Sequence, residues 1–204
     1  MTVKVAIVYH SGFGHTAVLA RSAAQGVRDG GAEPLLLEIE GLTQDFSPFL
    51  DEVTAADAVL FGAPTYMGDV SAPFKAFADA SAKVWFTGGW ADKLAGGFTN
   101  SHSYSGDKVH ALTTLAILAA QHGMNWVNLG LAPPHVTAAE RGPETLNRVG
   151  AFLGLMTQSD NADAEITPPK GEHDTARHFG ERVAKASRRW AAGAKATEKA
   201  LEPA

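Results

Sequence analysis

The sequence predicts a doubly wound α/β fold: a five-stranded parallel sheet with helices on both faces. Three observations carry this expectation. Apolar runs of strand length alternate with segments of helical period along most of the chain. The first run, residues 3–9, is almost continuously apolar, as a strand covered on both faces must be. That run then passes through a glycine-containing loop straight into a helix.

The elements follow in order. From His15 the period changes, because Thr16, Ala20, Ala23 and Val27 lie along one helical face, and Gly30-Gly31 ends that helix. Residues 33–39 (EPLLLEI) form the second strand, residues 49–56 a short helix, and residues 57–63, with their apolar AVLFGA core, the third strand. Residues 72–85 are helical, with Phe74, Phe77 and Ala78 on one face. Residues 93–100 give the fourth strand, thinned by Gly96 and Gly97 so that something can approach closely. Residues 107–121 form a helix with Leu112, Leu115, Ala116 and Ala119 on its buried side, closed by Gly123, and residues 125–129 supply the fifth strand.

Residues 131–172 break the rhythm. They contain Pro133, Pro134, Pro143, Pro168 and Pro169 and lack a long periodic segment, with room for one helical turn at 145–155. So long an irregular stretch is usually functional or disordered. Residues 174–192 read as the final helix, capped by Asp174. The expectation is one domain, 1–192, followed by a frayed tail, 193–204, with no internal repeat.

Composition narrows the function. With 204 residues, 45% of them hydrophobic, the chain can bury one substantial core. A net charge of -5 and a pI near 5.9 argue against a footprint for nucleic acid or anionic lipid. Arg182, Lys185, Arg188, Arg189 and Lys195 have the spacing of a solvated helix face. No cysteine occurs, which removes disulfides, thiolate catalysis and sulfur-ligated metals, and any redox chemistry must belong to a cofactor. None of the eight histidines forms a ligand pair with an acid, so no metal site is expected. The longest apolar run, 111–120, is too short to span a bilayer, and a first strand starting at Val3 leaves no room for a cleaved signal peptide. A cytoplasmic protein without membrane insertion is expected.

The first strand-to-helix junction, His10-Ser11-Gly12-Phe13-Gly14-His15-Thr16, is an anion seat. Gly12 and Gly14 let successive amides converge at a helix N-terminus, where the dipole and the hydroxyls of Ser11 and Thr16 favour a phosphate. A Walker loop needs lysine where His15 stands, which rejects a nucleoside triphosphatase. The dinucleotide pattern Gly12-x-Gly14-x-x-Ala17, with Glu38 or Glu40 as a ribose-binding acid, is a weak match. A flavodoxin-type loop, Ser-x-x-Gly-x-Thr, is supplied by Ser11, Gly14 and Thr16 and binds a phosphate monoester without a cation.

Two further strand ends meet this junction. Pro64-Thr65-Tyr66-Met67-Gly68-Asp69 follows the third strand, and Asn100-Ser101-His102-Ser103-Tyr104-Ser105-Gly106 the fourth. Tyr66 and Tyr104 can cover a flat ring, Thr65 and Ser101 can meet its polar edge, and Gly68 and Gly106 permit close approach. Flavin mononucleotide (FMN) has this shape.

Over most of its length the chain resembles the flavodoxin-like NAD(P)H:quinone oxidoreductases of the tryptophan-repressor-binding-protein type, within the NADPH-dependent FMN reductases. The resemblance rests on Tyr9 through Thr16, on GAPTYMGDVSAPFKAFAD, and on the block from Trp85 through GGFTNSHSYSG to AAQHGM. It implies a flavodoxin-like fold, FMN as cofactor, NADH or NADPH as co-substrate, and a quinone or similar acceptor. It further implies that Ser11, Gly12, Phe13, Gly14, His15 and Thr16 bind the phosphate and that Pro64, Thr65, Tyr66, Met67 and Gly68 contact ribityl chain and ring. Asn100, Ser101, His102, Ser103, Tyr104 and Ser105 would line the ring's other side. Phe13 would meet the nicotinamide, and Trp85 the quinone. Where that family has a histidine reaching the flavin, this chain has Gln121 followed by His122. Asn147-Arg148-x-Gly150-x-x-x-Gly154-x-Met156-x-Gln158 fits a broader flavodoxin-like subgroup. The resemblance implies a homo-oligomer, dimer or tetramer, although residues 39–49 are shorter than the connection that carries a tetramer-building element in the family. No protein nucleophile is required; His10, His15 and His102 are candidates for assisting protonation of a reduced quinone. A flavodoxin-like electron carrier is the alternative reading.

Overall fold

The structure, a computed structural model, describes residues 2–201, side chains at 195 and 197–201 excepted. In chain order the elements are β1 (Lys4–His10), α1 (His15–Asp29), β2 (Glu33–Ile39), α2 (Ser47–Ala55), β3 (Ala58–Tyr66), β4 (Asp69–Val70), α3 (Ala72–Ala80), α4 (Ala82–Trp85), β5 (Leu94–Ser101), α5 (Lys108–Gln121), β6 (Asn125–Trp126), β7 (Leu155–Gln158) and α6 (Lys170–Leu201). The parallel sheet runs β2-β1-β3-β5-β6, so β1 has a strand on each side. This is the doubly wound arrangement expected.

Alternation along β1 explains the two layers of helix. Val5, Ile7 and Tyr9 face a core shared with α1 and α6, among Leu19, Ala23, Val27, Phe179 and Val183. Ala6 and Val8 face the opposite core, among Leu50, Phe74, Phe77, Trp90, Leu112 and Leu115 from the remaining long helices and the α4–β5 loop. Helices α1 and α6 approach so closely that a Cβ on Gly26 would lie 1.8 Å from the Arg177 carbonyl oxygen. The rings of Phe179 and Trp126 are what approach Gly96 and Gly97, so those glycines serve packing.

Several elements depart from expectation. The strand expected at 125–129 pairs only at Asn125 and Trp126, opposite Leu94 and Ala95. The rest of this fifth position is filled by β7, whose residues pair with β5 from Phe98 to Ser101. Beyond Trp126 the chain turns away through Gly130, at φ 63, toward Pro133 and Pro134, which carry no donor for a ladder. Residues 145–155 hold a hydrogen-bonded turn, with Gly150 N–H bonding the Asn147 carbonyl, but no helix. Asn147 adopts φ 45, accepts Ala151 N–H on Oδ1 and donates to the Ala151 carbonyl and, 16 residues away, the Leu131 carbonyl.

The helix expected at 72–85 divides at Ser81, whose hydroxyl donates to the Ala78 carbonyl and bonds His122. The final helix begins at Lys170, so Asp174 is not its cap but pairs with Lys170 within the first turns. It continues to Leu201, past the tail expected from 193; residues 202–204 lie outside the described residues. Met67 and Gly68, both at positive φ, form the two-residue turn of an unexpected β3–β4 hairpin. Among the described residues no helix is long and apolar enough to cross a membrane.

Burial holds His10, His122 and His173 below the ordinary histidine value, although Glu38 opposes the effect at His10. His122 bonds Ser81 and packs 4.2 Å from the Trp90 ring, while His173 bonds Ser22. Each stays neutral to a lower pH in the fold than in the unfolded chain, which protonates near pH 6.5. Their contribution to stability is complete above that pH and is lost as pH falls through the depressed folded values, because the unfolded state then binds more protons. The unfolding free energy from denaturant titration should therefore drop between pH 7.5 and 5.5, by at most ~1.4 kcal/mol per pH unit for each histidine. His122→Gln should shrink that difference; an unchanged pH slope would contradict the assignment.

Candidate functional site

The carboxyl ends of β1, β3, β5 and β7 surround a cavity of about 860 Å³. All six residues from Ser11 to Thr16 line it, with Pro64, Thr65 and Tyr66 from β3 and Asn100, Ser101 and His102 from β5 and its loop. The three loops expected to converge do so.

The first loop is built by backbone angles. Gly14 stands at the N-terminus of α1 with φ 84, a left-handed conformation costly for residues with a Cβ, and no side chain caps the helix from that position. Ser11 Oγ instead accepts the Ala17 N–H at 3.0 Å. The first-turn amides of His15 and Thr16, residues that line the cavity, have no preceding helical carbonyl to bond, which leaves them as donors for a ligand. No lysine or arginine lines the cavity. The seat is therefore made of amides, hydroxyls and a helix dipole.

Aromatic groups close over it. The Tyr66 hydroxyl accepts the Gly12 N–H, while burial pushes the phenol's pKa up. Its ring meets Phe13 edge-on at 6.3 Å and His10 at 6.5 Å. A Cβ on Gly12 would fall 2.3 Å from the Tyr66 hydroxyl, so this residue must be glycine for Tyr66 to sit there. Phe13 itself is exposed at the cavity mouth. Thr65 and Thr99 share a hydrogen bond of 2.7 Å, and Asn100 Oδ1 accepts from Thr157 and Ser159, which leaves the Asn100 amide nitrogen as a donor.

A fourth wall was not foreseen from sequence. Residues 159–164, following β7, line the cavity with Ser159, Asp160, Asn161, Ala162, Asp163 and Ala164. His15 Nε2 bonds the Ala162 carbonyl at 2.8 Å, and a Cβ on Gly14 would lie 2.9 Å from Ala164 Cβ, so this loop lies directly over the anion seat. The signal was present as the polar run after Leu155 and Met156, but the strand that introduces it is only four residues long.

Other expected residues lie elsewhere. Met67 is fully exposed at the hairpin tip, and neither it nor Gly68 lines the cavity. Ser103, Tyr104 and Ser105 do not line it either; Tyr104 borders a neighbouring cavity of about 340 Å³ with Arg141 and Arg148. Within one copy Trp85 is also remote. It borders a separate groove of about 340 Å³ between α3, α4 and α5, together with Phe74, Ile117, Leu118, Gln121 and His122. Neither Gln121 nor His122 reaches the strand-end cavity, because His122 turns inward against Trp90. Glu38 and Glu40 stay outside it too, and Glu38 accepts the Tyr9 hydroxyl, which removes the ribose-binding acid of a dinucleotide site.

Comparison with known proteins agrees with this geometry. Residues 10–135, more than half of the chain, match the family described as NADPH-dependent FMN reductase. Flavodoxin FldP of Pseudomonas aeruginosa is 43% identical over 183 residues, covering 89% of this chain and 95% of its own. An NAD(P)H dehydrogenase (quinone) of Syntrophobacter fumaroxidans is 30% identical over 208 residues, covering 92% and 98%. A solved structure, the WrbA-like flavodoxin of Agrobacterium tumefaciens, is 38% identical with a TM-score of 0.73, covering 92% of this chain and 99% of that one.

Replacing Gly14 tests the seat. Gly14→Ala should lower affinity for FMN at least tenfold in a fluorescence titration and cost about 1–2 kcal/mol of stability from the left-handed backbone. Wild-type affinity in that variant would show that the phosphate is held elsewhere.

Proposed function

The chain belongs to the NADPH-dependent FMN reductase family, and we propose that it is an FMN-dependent oxidoreductase passing two electrons from NADH or NADPH to a quinone or similar acceptor. The observation that carries this reading is a cation-free anion seat opening directly into an aromatic-edged cavity at the strand ends. Such a donor set suits a phosphate monoester joined to a flat ring, and the cavity volume lies within the range of cofactor sites.

Bound FMN would supply the electron transfer between nicotinamide and quinone; the chain's own groups bind, orient and exclude water. Ser11, Gly12, Phe13, Gly14, His15 and Thr16 would hold the phosphate, through the Ser11 and Thr16 hydroxyls and the first-turn amides of α1. Tyr66 would cover one side of the site, beside Pro64 and Thr65. The Asn100 amide nitrogen would donate from the opposite wall, with Ser101 and His102. Phe13, exposed at the mouth, would meet the incoming nicotinamide. Of the three histidines near the site, His15 is committed to Ala162 and His10 is buried, which lowers its pKa, so His102 would be the one to assist proton delivery to a reduced acceptor.

The reading extends to a homo-oligomer in the cytoplasm. Trp85, Phe86 and Ile117 are exposed around the apolar groove, a surface that a second copy would cover. One observation favours a different activity: the 43% identical relative is named a flavodoxin, which suits an electron carrier. Anaerobic mixing separates the two. Protein loaded with FMN and desalted should retain flavin, bleach with NADH or NADPH, and recover its absorbance with stoichiometric benzoquinone. A flavin left oxidised by both nucleotides would make the protein a carrier, and no retained flavin would overturn both readings.

A further inference from the structure

Behind the third loop of the cavity lies a buried charge cluster that binding of a cofactor does not by itself require. Lys108, the first residue of α5, is 0% exposed. Its ammonium donates to Ser101 Oγ at 2.8 Å, the Ser103 carbonyl at 2.6 Å and the Tyr104 carbonyl at 2.7 Å. Arg148, 9% exposed, pairs through Nε with Glu172 Oε1 at 2.8 Å and donates to Gln158 Oε1 and to the Tyr104 hydroxyl. Its guanidinium stands 5.3 Å from the centre of the Tyr104 ring. Gln158 Nε2 in turn donates to the His102 carbonyl at 3.0 Å.

Two consequences follow from elementary geometry and charge. A trans peptide sets its carbonyl and its N–H on opposite sides. With the carbonyls of His102, Ser103 and Tyr104 turned toward the cluster, the N–H groups of Ser103, Tyr104 and Ser105 point away from it, and none has an acceptor among the described residues. Two cations also surround a single carboxylate. Glu172 is 0% exposed, burial raises its pKa against the pull of Arg148 and Lys108, its Oε2 has no hydrogen-bond partner among the described residues, and the three acceptors of Lys108 are neutral oxygens. Burial pushes Lys108 down to about 8, against the opposing pull of Glu172, so it remains mostly protonated at neutral pH. Desolvated charge of this kind acts on its surroundings much more strongly than exposed charge.

We propose that Lys108 is a positioning residue that sets the reduction potential of the bound flavin, holding residues 101–104 with their carbonyls inward and placing an incompletely neutralised positive charge behind the cavity wall, with Glu172 as its counterweight. Two electrons and one proton taken up by bound FMN leave it one unit more negative, and the Lys108 charge stabilises that form more than the oxidised one. This inference rests on the FMN reading above.

Equilibrium reduction against a reference dye at pH 7 tests it on FMN-loaded protein. Lys108→Gln should weaken the reduced flavin about tenfold more than the oxidised one, a potential lower by ~30 mV for a two-electron couple. Glu172→Gln should shift it in the opposite direction by a similar amount. A purely structural role would give equal weakening of both flavin states and no shift, which overturns the proposal, as does a shift of the same sign in both variants. If Lys108→Gln retains no flavin, the sign found in Glu172→Gln decides alone, and loss of flavin from that variant as well counts against the proposal. Wild-type protein that binds no FMN would sink the functional reading itself, and this inference with it.

Discussion

Everything at the site depends on how the chain leaves the central strand. β1 is paired on both sides, so its end is fixed relative to β2 and β3, and only four residues separate His10 from the start of α1. Gly14 completes that short connection in a left-handed conformation, which glycine adopts without strain. Ser11 then serves as acceptor for Ala17, and the remaining first-turn amides stay open at the carboxyl edge of the sheet. Close packing of α1 on α6 through Gly26 holds the helix axis that aims those amides. A phosphate bound there needs no cationic side chain.

Around this fixed point charge is sorted by depth. The cavity wall consists of amides, hydroxyls, aromatic rings and two histidines, with Asp160 and Asp163 on the fourth loop. Full positive charge sits one layer behind, in Lys108 and Arg148, and meets the cavity loop through the Ser101 hydroxyl, the carbonyls of Ser103 and Tyr104, and the Tyr104 hydroxyl. Such an arrangement anchors a ligand through neutral donors while leaving buried charge free to act on electron density as it changes. It also explains why a polar network occupies the middle of residues 131–172. Asn147, Arg148, Gln158 and Glu172 fix β7 against β5 and thereby carry residues 159–164 over the anion seat.

The strands and long helices were legible because their signals are local. Alternating burial along β1 and the helical face of α1 can be read from composition and period alone, and Ser11, Gly14 and Thr16 have both the residue types and the spacing of a phosphate loop. What was not legible depends on contacts distant in sequence. β7 is four residues long and owes its strand conformation to β5, and the break at Ser81 owes itself to His122, 41 residues away. Tyr104 was expected at the ring but is drawn to Arg148, 44 residues away, and Trp85 follows α4 to another face. Lys108 gives no sign in sequence of being buried, since a lysine opening a helix is ordinarily solvated.

The central claim is that a phosphate monoester, held by neutral donors at the start of α1, anchors the cofactor. Calorimetric titration of the apoprotein with FMN and with riboflavin, which differ only in that phosphate, tests it most directly. The account predicts at least a hundredfold tighter binding of FMN, a difference of about 2.7 kcal/mol. Equal affinities for the two would contradict it.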